Sequence, residues 1–122
     1  MIVGIINADD YENGYKEKTR ANEIEVKDTD NDWKLMLKTN DRDMGVIAGY
    51  AKPISDFLWK ATGEYATQIT YTEITNYDVE VARGPKGDDR LDVYTDFKIL
   101  LAWQNDSPGY YNITLVYTLT TQ

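Results

Sequence analysis

Apolar and polar positions alternate with a period of two through most of the second half of the chain. The segment "PGYYNITLVYTLTTQ" (108–122) opens on a turn signal and then alternates without a break. Tyr111, Ile113, Leu115, Tyr117 and Leu119 fall on one face, with Asn112, Thr114, Val116, Thr118 and Thr120 on the other. In "RLDVYTDFKILLAW" (90–103), Leu91, Val93, Phe97, Ile99, Leu101 and Trp103 share a face opposite Arg90, Asp92, Asp96 and Lys98. In "NYDVEVARG" (76–84), Tyr77, Val79 and Val81 point inward and Asp78 and Glu80 outward. A period of two places alternate side chains on opposite faces of a strand, so each run predicts a strand with one buried and one wet face. The Gly-, Pro- and Asp-rich stretches "RGPKGDDR" and "QNDSPG" separate the three runs as turns. Residues 76–120 are therefore predicted to form a three-stranded antiparallel meander, and the terminal strand to pair with residues 90–103.

The first half is less regular. "NEIEVK" predicts a short strand with Ile24 and Val26 inward, and "DWKLMLKT" another with Trp33, Leu35 and Leu37 inward. "YATQITYTEI", rich in Thr and Tyr, is a further strand candidate. Pro53 can start a helical turn within 53–60, where Ile54, Phe57 and Leu58 would cluster. The count is seven to nine strands with no long amphipathic helix. For a chain of 122 residues, the natural container is a single antiparallel β-sandwich, all-β and immunoglobulin-like or jelly-roll-like.

The opening segment breaks the pattern. "MIVGIIN" (1–7) is apolar on both faces, and the polar stretch after it has no period. The chain thus divides into an N-terminal strand with a polar tether, residues 1–21, and a sandwich domain, residues 22–122. The terminal strand needs cover on the edge away from its partner, because free N–H and C=O groups invite association. Ile2, Val3, Ile5 and Ile6 are the best cover available. They serve either as the first strand of the same sandwich or as a strand added to a neighbouring copy.

Composition narrows the function classes. Thirteen Lys and Arg against twenty-one Asp and Glu give a formal charge of −8. Such a surface repels phosphate backbones, so no nucleic-acid partner is expected. Cysteine and histidine are absent, which excludes disulfides, thiolate nucleophiles, a Ser-His-Asp triad and the commonest metal ligand. The chain is not expected to be an enzyme. No stretch approaches the ~18 apolar residues of a membrane span. The apolar opening lacks a basic leader, so the sequence is expected to be the mature form of a secreted or cell-surface protein.

Several of these features together resemble the β-sandwich domains of secreted bacterial and archaeal surface proteins, including pilus-like filament subunits. They are the W-x-L-x-L strand of Trp33, Leu35 and Leu37, Trp59 in "FLWK", the long strand ending at Trp103, and the turn Pro108-Gly109-Tyr110 into "YTLTTQ". The resemblance implies a structural or adhesive subunit that self-associates with identical copies. The alternative is a carbohydrate-binding module, which needs a planar patch of exposed Trp and Tyr to hold polysaccharide; Trp33 and Trp103 sit on the apolar faces of their strands, and Tyr94 and Tyr110 on outward ones.

Two smaller motifs carry chemistry of their own. Asp28, Asp30 and Asp32 in "DTDND" would project from one face of an extended strand, where a hard cation such as calcium relieves their mutual repulsion. The spacing opens an EF-hand loop, but Trp33 stands where that loop needs Gly and Thr39 where it needs Glu. A solvated turn is the other reading. "NDS" at Asn105 and "NIT" at Asn112 fit the glycosylation acceptor pattern.

Overall fold

The computed structural model describes residues 2–5, 13–102 and 110–122, and for residues 2–5 and 110 it describes the backbone. Eleven strands run through these residues. They are β1 (Ile2–Ile5), β2 (Tyr15–Val26), β3 (Trp33–Thr39), β4 (Asp43–Ile47), β5 (Tyr50–Pro53), β6 (Phe57–Thr62), β7 (Thr72–Glu73), β8 (Val79–Gly84), β9 (Leu91–Leu100), β10 (Tyr110–Asn112) and β11 (Leu115–Thr121). Every pairing is antiparallel. One sheet has the order β2-β9-β6-β7 and a second the order β11-β3-β8. β1 with β10, and β4 with β5, form separate two-stranded ribbons.

The alternation explains why the two sheets meet. Trp33, Leu35 and Leu37 of β3 and Val81 and Ala82 of β8 are buried in the same cluster as Phe57 and Trp59 of β6 and Val93, Phe97 and Ile99 of β9. The inward faces of both sheets thus share one core, the arrangement of a β-sandwich. Each large apolar side chain removed from water there contributes about 1.5–3 kcal/mol. Phe57 and Phe97 pack with ring centroids 4.9 Å apart, a tilted pair. Trp59 is fully buried, yet its indole N–H has no acceptor among the described residues. Among the described residues, hydrophobic packing is what secures that side chain.

The meander does not form. β8 pairs with β3, β9 pairs with β2 and β6, and β11 pairs with β3 through seven registered residues from Leu115↔Thr39 to Thr121↔Trp33. The reason lies in the linkers. Thr29, between β2 and β3, bridges to Gly87, between β8 and β9, with N···O distances of 2.9 and 3.1 Å. Asp32 Oδ1 also accepts from the Lys86 N–H at 3.0 Å. Both linkers are tied side by side as arches that carry the chain from one sheet to the other, and neither turns back as a hairpin.

Other expectations shift at the level of single elements. β2 begins at Tyr15, well before the predicted "NEIEVK". Its polar first half pairs with β9 up to Lys18, then bulges before resuming at Asn22. Asp96 faces outward on β9 as predicted but is only 6 % exposed. The bulge folds over it: Arg20, at φ 47°, donates its backbone N–H to Asp96 Oδ1 at 2.7 Å. Tyr77 is 69 % exposed and not inward, because β8 starts only at Val79. "YATQITYTEI" is strand only at Thr72–Glu73, and the helical turn shortens to Ile54–Asp56 before β6 begins. "MGVIAGYA" forms the β4–β5 hairpin. Ala48 and Gly49 both take positive φ, 53° and 81°, the geometry of a type I′ turn.

Candidate functional site

The two sheets have four edges, and they are not alike. β2 carries Lys16, Glu17, Lys18, Arg20, Glu23 and Glu25 along its length. β8 is covered by the 65–68 segment, through an Ala66–Ala82 bridge and the Arg83 N–H donating to the Tyr65 carbonyl at 3.1 Å; it also carries the Glu80–Arg83 pair at 2.7 Å, which holds the Glu80 carboxyl below its ordinary range. β7 is only two residues long. Charge and shortness are how sheets blunt their edges. β11 has neither device. "LVYTLTT" holds no charge and no proline, and no described strand pairs with it on the side away from β3.

The ladder fixes which groups of β11 face outward. Gln122 donates its N–H to the Asp32 carbonyl at 3.0 Å, one step beyond the Thr121↔Trp33 pair. Hydrogen-bonded and non-hydrogen-bonded pairs alternate along an antiparallel ladder. Val116, Thr118 and Thr120 therefore bond to β3. Leu115, Tyr117, Leu119 and Thr121 turn their N–H and C=O to the open side. Thr39 agrees: it opposes Leu115, but its N–H goes the other way, to the Thr75 carbonyl at 2.9 Å.

β2 and β11 are edges of different sheets, and they meet across an open seam. The Tyr117 hydroxyl bridges it, accepting from Asn22 Nδ2 at 3.0 Å and sharing a hydrogen bond of 2.9 Å with Thr95 Oγ1. Burial pushes the Tyr117 phenol above its ordinary pKa, against the smaller opposing effect of these two hydrogen bonds. Beside this bridge lies a groove of about 420 Å³ lined by Asn22, Glu23, Ile24, Thr114, Leu115 and Tyr117. A second groove of about 260 Å³ runs along the far end of β11, between Leu119–Thr121 and the Thr29–Asn31 linker. Leu115 and Tyr117 pack against the core, but Leu119 does not close it as predicted and remains 49 % exposed.

The predicted site residues are dispersed. Ile2, Val3 and Ile5 lie in β1, which pairs with β10 of the same chain, Ile2 opposite Asn112 and Ile5 opposite Tyr110. Ile6, Asn105 and Trp103 lie outside the described residues. Asn112 is exposed, as is Thr114. Asp28, Asp30 and Asp32 are exposed but do not share one face of a strand, because Asp28 takes φ 53° and Thr29 is held in its bridge. Their carboxylates do not converge; among the described residues the acidic group that does is Glu23, Glu25 and Asp92.

That group was not legible in the sequence, since register brings its members together from β2 and β9. Its centre is already filled by a cation of the chain. Arg90 reaches Asp92 at 2.9 Å, Glu25 at 2.8 Å and Glu23 at 3.1 Å. A second cluster covers the outer face of the four-stranded sheet. Lys98 Nζ sits 4.6 Å from the Tyr15 ring and 4.5 Å from the Tyr71 ring, while Lys60 Nζ lies 4.9 Å from Tyr71. Tyr71 donates to Glu17 at 2.6 Å, and burial, followed by that bond, pushes its phenol well above the ordinary range. Trp33 and Trp59 are buried and offer no platform for a sugar ring. Lys52 is buried too, its ammonium paired with Asp56 at 2.9 Å. Among the described residues no helix is long and apolar enough to cross a membrane. Compared with known proteins, the chain matches no family model, no curated protein and no solved structure.

Proposed function

We propose that this chain is a non-enzymatic structural or adhesive subunit of an extracellular assembly, joined to identical neighbours by strand addition. The observation that carries the reading is the β1–β10 ribbon, whose ladder is shared with neither sheet, although Tyr111 of β10 is buried in their common core. Its ladder can be made equally well with β1 of a neighbouring copy, because the same residues meet in the same register. An exchange passed on from copy to copy is head-to-tail, and a head-to-tail contact that does not close on itself builds a filament. The missing histidine and cysteine chemistry supports a role without catalysis, and the exposed Asn112 acceptor pattern suits an exported protein. Electron microscopy and size-exclusion chromatography at millimolar concentration test the proposal. Full-length protein should form chains of subunits, and deletion of residues 1–7 should abolish them. Full-length protein with no particle larger than a dimer would overturn it.

A further inference from the structure

From the edge that no described strand covers we infer that β11 is a second assembly surface, and that its occupant is β11 of a second copy, paired antiparallel about a twofold axis. This surface is independent of the β1–β10 exchange. Three observations carry it. First, the open edge offers backbone donors and acceptors at Leu115, Tyr117, Leu119 and Thr121, which only another strand can satisfy in series. Second, the chain bears a net charge of −8, so most of its surface repels a second copy. Among the edges of the two main sheets β11 alone carries no charge, and the uncharged run extends from Pro108 to Gln122. Third, the strand is complementary to itself. In antiparallel pairing the outward-turned residues must oppose one another. The register that overlaps the whole strand sets Leu115 against Thr121 and Tyr117 against Leu119 of the second copy, with the axis at Thr118.

That register preserves the faces of both sheets. Leu119, half-exposed in the single copy, comes to lie beside Tyr117 of the second copy on the inward side, over the seam. On the outer side Val116 meets Thr120 and Thr118 meets Thr118, all strand-favouring and neutral. The two three-stranded sheets become one continuous sheet, β8-β3-β11-β11′-β3′-β8′.

Because the chain has no cysteine, a single one reports the register. Thr118 meets its own copy in a non-hydrogen-bonded pair, where Cα atoms are about 4.5 Å apart, within reach of a disulfide. Thr118→Cys should cross-link into a covalent dimer under mild oxidation. Thr120→Cys should cross-link at least about tenfold more slowly, because four residues of offset separate the two thiols by roughly 13 Å along the strand. Both positions are exposed, so neither change disturbs the core. By sedimentation, Leu119→Lys should raise the dimer dissociation constant roughly tenfold or more by placing charge at the pairing edge. Leu119→Pro should also abolish the dimer, since it removes an outward N–H but no bond to β3. Circular dichroism would confirm that both variants remain folded. Equal cross-linking at 118 and 120, a strictly monomeric wild type at millimolar concentration, or an unweakened dimer in a folded Leu119 variant would each overturn the inference. The deletion of residues 1–7 separates the two surfaces: it should end filaments and leave the Thr118→Cys cross-link.

Discussion

Two side chains show how much of this sandwich rests on single contacts. Trp33 lies opposite Gly84 across the β3–β8 ladder. A Cβ added to Gly84 would stand 2.5 Å from the indole Cζ2 and 2.8 Å from Cε2. The glycine leaves room for an aromatic ring to cover the end of an edge strand, a recognised device of sheets. Gly84→Ala should therefore cost about 1–3 kcal/mol by overpacking, read as a lower urea midpoint with unchanged slope. Tyr117 is the second contact. Tyr117→Phe leaves Asn22 and Thr95 without their shared partner and should cost about 1–2 kcal/mol. It also carries a pH signature. The folded phenol titrates above its ordinary 10.0 because it is buried, so the unfolded chain releases that proton first. Stability from this group is complete below pH 10.0 and is lost as pH rises towards the folded value. Tyr71 acts in the same direction. Urea titrations at pH 8 and at pH 11 should show lower stability at the higher pH, with a shallower loss in Tyr117→Phe.

Among the elements, β2 shows how one bulge turns an exposed charge into a buried one. Arg20 adopts a left-handed conformation that costs a non-glycine residue about 1–2 kcal/mol, and the bond from its N–H to Asp96 offsets this. Lys60 adds a weak contact at 3.9 Å. Asp96→Ala should free the bulge and cost about 1–3 kcal/mol. Asp96→Asn keeps an oxygen acceptor and should lose less. Amide hydrogen exchange gives the readout: faster exchange at Arg20 in both variants, and only a small change in the distant β3–β11 ladder. Equal protection at Arg20 in Asp96→Ala would mean that another group holds the bulge.

At the scale of the whole molecule, the balance is between a neutral strand and an acidic surface. Copies bearing −8 each repel over about 10 Å at 0.1 M salt and over about 3 Å at 1 M. If β11 is the meeting edge, raising the salt should strengthen self-association, because repulsion is screened while the edge contact itself has no charge to lose. Light scattering across that salt range measures the effect. Weaker association at high salt would point to ion pairs at the interface and away from β11.

The sequence by itself determined the strand character of the chain, most of the core and the absence of histidine and cysteine chemistry. Trp33, Leu35, Leu37, Phe97 and Ile99 are buried where alternation puts them, because period two is a local property that survives any arrangement of strands. It also determined that the terminal segment would be uncharged strand, but not that it would break at Ile113 and Thr114 into β10 and β11, which pair with different partners. Only the tertiary structure decided which strands are neighbours. The predicted meander followed sequence adjacency, but the Thr29–Gly87 bridge ties two linkers into arches and sends β8 and β9 into different sheets. That contact joins residues far apart in the chain, and no local pattern encodes it. The same limit applies to the candidate sites. Asp28, Asp30 and Asp32 are close in sequence yet do not converge. Glu23, Glu25, Asp92 and Arg90 do converge, through the β2–β9 register. The seam bridged by Tyr117 exists because β2 and β11 end up as edges on the same side, and edge position is a property of sheet order, which alternation cannot express.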